Sequence, residues 1–322
     1  MKKFNLLFLL FLGLIILSFG GYFTAKYYGT KKFKETAQIY LEQTGFGENV
    51  KVSEYEYNPL TGVGILKDVK IKDYSTKKYS INKIEKIELR KYELDKDTDI
   101  PLEADIAVYG ISIYLKKDGK KLIGDVFSKY SYNPKKAKLE LKNLEIRFRD
   151  FFDIKTAFTI GNISKDLMEK LVKLGKEKPS NPHTGDMMLL YSKLLQIKPE
   201  YFHFEYAERG MINTFINEDA KRNGLKPEDL RRKIIKDMER SKDKLKSDLE
   251  KKFIDGLIYM VQEGKGKFVV DIKAKKDVTL QDIIAMLMKA NMTGSSQEEK
   301  AKIFYETFSE YFDLKFDFVE ES

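Results

Sequence analysis

The chain has 322 residues and a formal net charge of +9, with 59 Lys and Arg against 50 Asp and Glu. It contains no cysteine, which excludes disulfides, thiolate catalysis and cysteine-ligated metal clusters. Hydrophobic residues make up 42% and aromatic residues 13% of the chain, enough to build a packed core. The basic excess is spread thinly, which favours a solvated lysine-rich surface and argues against a nucleic-acid partner.

The first predicted element is an apolar run without charged residues, Phe4 to Ala25. As a helix rising about 1.5 Å per residue it would measure roughly 33 Å, enough to cross a bilayer core of about 30 Å. We therefore expect residues 1–29 to be a single-pass anchor in the inner (cytoplasmic) membrane, with the rest of the chain on the periplasmic or extracytoplasmic side. A cleaved signal peptide and a buried helix of a soluble domain are the alternatives, although residues 18–21 match a cleavage site poorly.

From Val50 onward the hydrophobic pattern alternates with a period of two, as in strands that bury one face. Turn residues such as Asn58–Gly62 and Lys117–Lys120 separate the strands. We expect residues 30–162 to form an antiparallel β-meander whose apolar face is either an ordinary core or an open groove for acyl chains. The residues predicted to face this groove are Val63, Ile65, Ile106, Val108, Ile113 and Ile146.

Residues 163–322 mix helical and extended patterns, which predicts a second domain of helices and strands. Thr279 followed by Asp282 predicts a helix that begins with a capping box. One long helix is expected over residues 227–262, with an apolar seam formed by Ile234, Met238, Leu245, Leu249, Phe253 and Leu257. The predicted fold class is therefore α+β: an N-terminal transmembrane helix, an antiparallel β-meander, and then a mixed helix/strand domain.

An acidic stretch offers the one pattern that is typical of a calcium loop. Asp95, Asp97 and Asp99 have the spacing of the first three ligands. The sixth and twelfth positions, which need Gly and Glu, are Ile100 and Ile106. We therefore expect a solvated loop between strands and no metal site.

Other patterns that carry chemistry are incomplete. His183 and His203 are the only histidines and lack the spacing of a zinc site. The glycines of Gly264-Lys265-Gly266-Lys267 lead from a helix into a strand, the reverse of a phosphate-binding loop. No hydrolase or kinase signature is present. We predict a protein that is not an enzyme and holds no cofactor.

The chain opens with an N-terminal apolar helix, a strand and the segment Asn58-Pro59-Leu60-Thr61-Gly62-Val63-Gly64-Ile65-Leu66-Lys67-Asp68-Val69-Lys70-Ile71. This opening resembles that of AsmA-like envelope proteins. It implies an inner-membrane anchor and an extended β groove that shields acyl chains. The helical second half departs from that family, and no functional residue is carried over from it.

These patterns together predict a membrane-anchored, non-enzymatic envelope protein that binds lipid or supports envelope assembly. Its expected partner is membrane lipid, reached through the anchor and through acyl chains bound in the groove. The alternative is an interaction scaffold that docks a partner protein through the helix over residues 227–262.

Overall fold

The computed structural model describes most of the chain from residue 22 onward. The described residues are 22–39, 41, 49–72, 75–76, 79–98, 100–115, 119–176, 184–243, 245 and 247–321. The apolar run Phe4 to Ala25 therefore lies almost entirely outside them.

The expected N-terminal transmembrane helix is corrected by the described residues. None of their helices combines the length and the apolar character needed to cross a membrane. Helix α1 (residues 22–39) carries Lys26, Lys31, Lys32, Lys34 and Glu35 and packs on strands instead. The predicted fold class is wrong in this respect, and the predicted single-pass location in the inner membrane is unsupported.

Ten strands form one antiparallel sheet in which each strand lies beside the next one along the chain. The sheet does not stop near residue 162, because the strands of the helix-rich second half join it as β8, β9 and β10. The strands are β1 (Val50–Asn58), β2 (Val63–Ile71), β3 (Tyr79–Leu94), β4 (Pro101–Leu115), β5 (Lys121–Asn133), β6 (Lys138–Phe148), β7 (Phe152–Gly161), β8 (Lys198–Glu208), β9 (Gly266–Ala274) and β10 (Phe312–Val319).

Helices follow β7 and fill the connections between the last strands. They are α2 (Lys165–Lys176), α3 (Thr184–Leu195), α4 (Met211–Asn223), α5 (Pro227–Lys242), α6 (Asp248–Glu263), α7 (Leu280–Thr293) and α8 (Gln297–Tyr311). The expected single helix over residues 227–262 is thus two helices. The break occurs because Ser247 caps α6, its hydroxyl accepting the backbone N–H of Glu250.

Contacts divide the chain into two compact units. The first comprises Met1–Tyr92 with Ala104–Asp125, and the second comprises Glu93–Glu103 with Val126–Ser322. The predicted boundary at residue 162 lies between strand β7 and helix α2, inside the second unit.

In the first unit α1 packs on one face of β1 and β2. The ring centroids of Phe33 and Tyr55 are 6.5 Å apart, and Gly64 leaves space for the Phe33 ring. Gly64 and Leu66 are buried on this face. Because side chains alternate along a strand, Val63 lies on the opposite face.

In the second unit helices α6 and α8 pack on β9 and β10. Tyr206, Phe268 and Phe318 pair across β8, β9 and β10 and so share one face. Helix α6 packs on it, with the Phe253 and Phe268 rings stacked at a centroid distance of 4.9 Å. The expected capping box of α7 is confirmed: Thr279 accepts the N–H of Asp282, whose carboxylate accepts the N–H of Thr279.

Candidate functional site

The face of the sheet opposite the helices is polar in β7, β8 and β9. Tyr201, His203 and Glu205 alternate along β8 with the aromatic residues Phe202, Phe204 and Tyr206. The register places His203 between Ala157 of β7 and Asp271 of β9. Side chains remote in sequence therefore meet on this face.

His203 lies between two carboxylates. Its Nδ1 is 2.9 Å from Asp271 Oδ1, and its Nε2 is 2.9 Å from Glu205 Oε1. The Tyr201 hydroxyl donates to the same Asp271 oxygen over 2.9 Å, and Lys267 Nζ lies 3.4 Å from Glu205 Oε2. Both ring nitrogens are thus engaged, which leaves neither available to bind a metal or to attack a substrate.

The two carboxylates around His203 are held in the ionised form. Burial acts to raise the pKa of Glu205, but the hydrogen bond with His203 and the charges of Lys267 and Lys155 outweigh it and lower the pKa. Burial also acts to raise the pKa of Asp271, and hydrogen bonds with His203 and Tyr201 lower it overall. These groups form a polar network in which both carboxylates and both ring nitrogens have partners.

A depression of about 550 Å³ adjoins this network where β8 begins and β7 and β9 end. Thr159, Tyr201 and Lys273, which pair across β7, β8 and β9, form one side of it. Its remaining lining comes from the starts of β6 and β8 and the link from β9 to α7. This lysine depression is lined by Lys138, Thr159, Lys198, Pro199, Glu200, Tyr201, Lys273, Ala274, Lys275, Lys276, Asp277 and Val278.

Five lysines and two carboxylates line the lysine depression, a net charge of +3. Lys138 Nζ is 2.9 Å from Glu200 Oε2, and Lys198 Nζ is 2.6 Å from Asp277 Oδ2. The hydrogen bond with Glu200 raises the pKa of Lys138. The depression is therefore cationic at neutral pH, although part of its charge is paired within the protein.

Two further lysines of the depression are not paired with its carboxylates. Lys276 Nζ lies 3.7 Å from the centroid of the Tyr311 ring, a cation–π contact. The ammonium group of Lys273 has no hydrogen-bond or ion-pair partner among the residues that the structure describes. Lys275, the remaining lysine, lies 3.1 Å from the carboxylate of Asp313. Lys273 and Lys276 are therefore the lysines of the depression whose ammonium groups have no carboxylate partner among the described residues.

The six predicted groove residues are all half-buried. On β2, Val63 pairs with Asn58 and Ile65 with Glu56, away from the face that α1 covers. Five of the six belong to the first unit and Ile146 to the second, so their convergence in a lipid groove stays a prediction. The six are Val63, Ile65, Ile106, Val108, Ile113 and Ile146.

In the loop that contains Asp95, the carboxylate of this residue accepts hydrogen bonds from its neighbours. Asp95 accepts the Thr98 hydroxyl over 2.9 Å and the Asp97 N–H over 3.1 Å, and Lys165 Nζ lies 3.1 Å from the same carboxylate. Asp99 and His183 lie outside the described residues. Within the described ranges no group of three or more His, Asp or Glu side chains is arranged to hold a metal ion.

The sequence patterns did not predict the lysine depression. Its lysines come from three separate strand ends, and no local spacing joins Lys138 to Lys198 or Lys273. The run Lys273-Ala274-Lys275-Lys276 at the end of a strand was the available signal.

A match to a family model lies within the second unit. A family model described as an uncharacterized protein matches residues 139–297. An uncharacterized protein of Aquifex aeolicus (strain VF5) is 25% identical over 233 residues, which cover 68% of this chain and 72% of that protein. Neither description mentions AsmA-like envelope proteins, so that resemblance stays a prediction. The residues matched by the family model contain the His203 network and all of the depression except Lys138.

Proposed function

We propose that this protein binds, without transforming it, a ligand that carries a phosphate or a similar multivalent anionic group in the lysine depression. The observation that carries the proposal is the lining of five lysines and two carboxylates around about 550 Å³. A volume of this size is typical of a small-molecule site. The excess of lysine over carboxylate selects for anions.

The magnitude of the attraction supports binding of moderate strength. At an effective dielectric constant of about 20, an ammonium about 4 Å from a unit negative charge contributes about 4 kcal/mol. Salt screens this attraction, and Glu200 and Asp277 offset part of it. Lys273 and Lys276 are the residues from which we expect most of the net gain.

A binding role is favoured over catalysis by the state of the neighbouring titratable groups. Both nitrogens of His203 already contact carboxylate oxygens, and the pKa values of Glu205 and Asp271 are lowered. A general base needs a free lone pair within reach of its substrate, and both ring nitrogens of His203 already face carboxylate oxygens.

The packing of α5 and α6 also bears on the scaffold alternative. Ile234 and Met238 of the apolar seam pack against the core formed by α4, α5 and α6, and Phe253 stacks on Phe268. A partner protein would have to compete with these intramolecular contacts. The seam therefore supports folding of the second unit better than it supports docking.

The test is calorimetric titration of the full chain with pyrophosphate at low and high salt. We expect Lys273→Met combined with Lys276→Met to weaken binding about tenfold, equivalent to about 1.4 kcal/mol. Lys233→Met combined with Lys236→Met removes two exposed lysines of α5 and serves as the control. Equal affinity in both double variants, or binding that is insensitive to salt, overturns the proposal.

A further inference from the structure

Strand β10 has an open edge. It pairs with β9 on one side, and no strand among the described residues pairs with its other side. Just before β10, the N–H of Lys275 donates to the Tyr311 carbonyl over 2.8 Å. Because hydrogen-bonded and non-hydrogen-bonded pairs alternate along antiparallel strands, the odd-numbered residues of β10 bond to β9. The backbone N–H and carbonyl groups of Leu314, Phe316 and Phe318 therefore point away from the sheet.

One lysine contacts this open edge. Lys252 Nζ of α6 donates to the Phe316 carbonyl over 2.9 Å and to Asp317 Oδ1 over 2.8 Å. The side chains of Lys252 and Asp317 are exposed, and exposed ion pairs contribute little to stability. A backbone N–H can therefore replace the ammonium at the Phe316 carbonyl at small cost.

We propose that β10 pairs antiparallel with β10 of a second copy of this chain, about a two-fold axis at Phe316. Phe316 then lies opposite Phe316 of the copy, and Leu314 lies opposite Phe318. Each outward N–H meets an outward carbonyl, as in a regular antiparallel ladder. The pairing is isologous, so the same edge serves both copies and the assembly closes as a dimer. It goes beyond the proposed anion binding and does not depend on it.

The charges of β10 select this register. Asp313, Lys315 and Asp317 are exposed and alternate with the apolar residues of the strand. With the axis at Phe316, Lys315 lies opposite Asp317 of the copy and Asp317 opposite its Lys315. Facing residues of opposite charge stabilise an antiparallel pair, and like charges destabilise it. An axis at Lys315 would place this lysine against itself and Asp313 against Asp317, while an axis at Leu314 would carry Asp317 past the end of the copy's strand.

Helix α6 leaves room for the second copy. A Cβ at Gly256 would lie 2.5 Å from Phe268 of β9 and 2.6 Å from Phe318 of β10, so α6 lies over the boundary between these strands. With strands about 4.8 Å apart, the α6 helices of the two copies come about 10 Å apart, the spacing of packed helices. Phe253 of α6 contacts Phe316 and is still 43% exposed. The pairing therefore brings apolar surface together in addition to joining the backbone edges.

The absence of cysteine from the whole chain permits a test of the register on the full-length protein. Asp313 and Val319 are exposed, and the proposed pairing places them opposite each other with Cα atoms about 4.5 Å apart, within the range of a disulfide. Oxidation of an equimolar mixture of Asp313→Cys and Val319→Cys proteins should therefore give a cross-linked heterodimer. Each variant oxidised alone is the control, because its two cysteines would lie about 20 Å apart in the dimer.

Sedimentation equilibrium of the same full chain tests the charges. Lys315→Asp and Asp317→Lys each bring like charges together and should weaken association at least tenfold. An equimolar mixture of these two variants restores opposite charges at both positions and should associate as tightly as the parent. Lys233→Asp makes the same change of charge on the exposed side of α5 and is the control.

The backbone contribution is tested by Leu314→Pro. This change removes an outward N–H and leaves the bonds to β9 in place, so it should abolish association while circular dichroism stays that of the parent.

The results that overturn the proposal are distinct. A parent that stays monomeric, or association that is equal in the parent, Lys315→Asp and Leu314→Pro, rejects pairing at this edge. Failure of the mixed charge variants to associate, or cross-linking of Asp313→Cys to Asp317→Cys instead of Val319→Cys, rejects the axis at Phe316. Species larger than a dimer reject the closed pairing. None of these results affects pyrophosphate binding at the lysine depression, which is measured separately.

Discussion

The Tyr206 hydroxyl donates a hydrogen bond to the carboxylate of Glu208, with 2.7 Å between the oxygens. Glu208 is 0% exposed, and its other oxygen accepts the N–H groups of Gly210 and Ile212 at 2.8 and 2.9 Å. These N–H groups belong to the start of α4, where the helix dipole favours negative charge. Burial raises the pKa of Tyr206, and the adjacent Glu208 raises it further. One buried side chain thus joins the end of β8 to the start of α4.

Replacing Glu208 should therefore destabilise the protein strongly. Glu208→Ala leaves two backbone donors and a tyrosine hydroxyl without their acceptor, at a cost of about 3 kcal/mol or more. Tyr206→Phe removes a single bond to a charged group and should cost about 1.5–3 kcal/mol. Urea unfolding of the two single variants and the double variant measures the coupling. Glu239→Ala, an exposed change on α5, should stay within about 0.5 kcal/mol of the parent.

Replacing Gly256 with alanine should have two opposing effects on stability. Alanine in the interior of a helix is favoured over glycine by about 1 kcal/mol. A Cβ at this position would lie 2.5 Å from a ring carbon of Phe268 and 2.6 Å from one of Phe318. These rings are packed against Phe253 and Phe316, so we expect the overlap to prevail, with Gly256→Ala destabilising by about 1–3 kcal/mol.

The matched test for Gly256 is a second change that makes space. Gly256→Ala with Phe318→Leu should be more stable than the sum of the two single changes predicts. A melting temperature of Gly256→Ala above that of the parent would show that helix propensity outweighs the contact with the rings.

Asp95 should make the stability of the second unit depend on pH. The hydrogen bond with Lys165 holds the pKa of Asp95 below its ordinary value. A carboxyl group with a lowered folded pKa contributes stability above its unfolded value of about 3.9, and this contribution is lost as the pH falls through the folded pKa. Asp95→Asn should therefore lower the urea midpoint at pH 7 and converge on the parent in acid.

Two controls separate the Asp95–Lys165 pair from a general effect of charge or from calcium. Asp97→Asn, at an exposed neighbour, should leave the urea midpoint unchanged at pH 7 and at pH 3. Calcium should stabilise neither the parent nor the variants. A difference between parent and Asp95→Asn that persists unchanged at pH 3 contradicts the assignment to this ion pair.

The contact between α1 and the first strands can be tested at Gly64. A Cβ added there overlaps the Phe33 ring, so Gly64→Val should destabilise the first unit by about 1–3 kcal/mol. Combining it with Phe33→Ala should recover part of the loss. Hydrogen exchange of the β1 and β2 amides measures the effect locally.

Local patterns of the sequence predicted local structure well. The alternation along β1 and β2 and the capping box at Thr279 depend on neighbouring residues, and both are present. The break between α5 and α6 was missed although Ser247 and Glu250 have the spacing of a capping box, because no glycine or proline interrupts the apolar seam. Residues paired across strands, such as His203 and Asp271, cannot be joined by local pattern.

The candidate site could not be predicted from the sequence for the same reason. Lys138 and Lys273 are far apart in the chain and line one depression only because β6 to β9 lie side by side. Individual lysines in a lysine-rich chain carry no signal of this arrangement.

The order of strands in the sheet has a consequence for synthesis of the protein on the ribosome. Because each strand pairs with the strand made just before it, every newly emerged strand finds its partner already outside the exit tunnel. No strand must remain unpaired until a distant part of the chain has been translated. The helical segments between β7 and β10 postpone this pairing without changing its sequence. The unpaired edge that the growing sheet offers to aggregation is therefore occupied by the nascent chain itself.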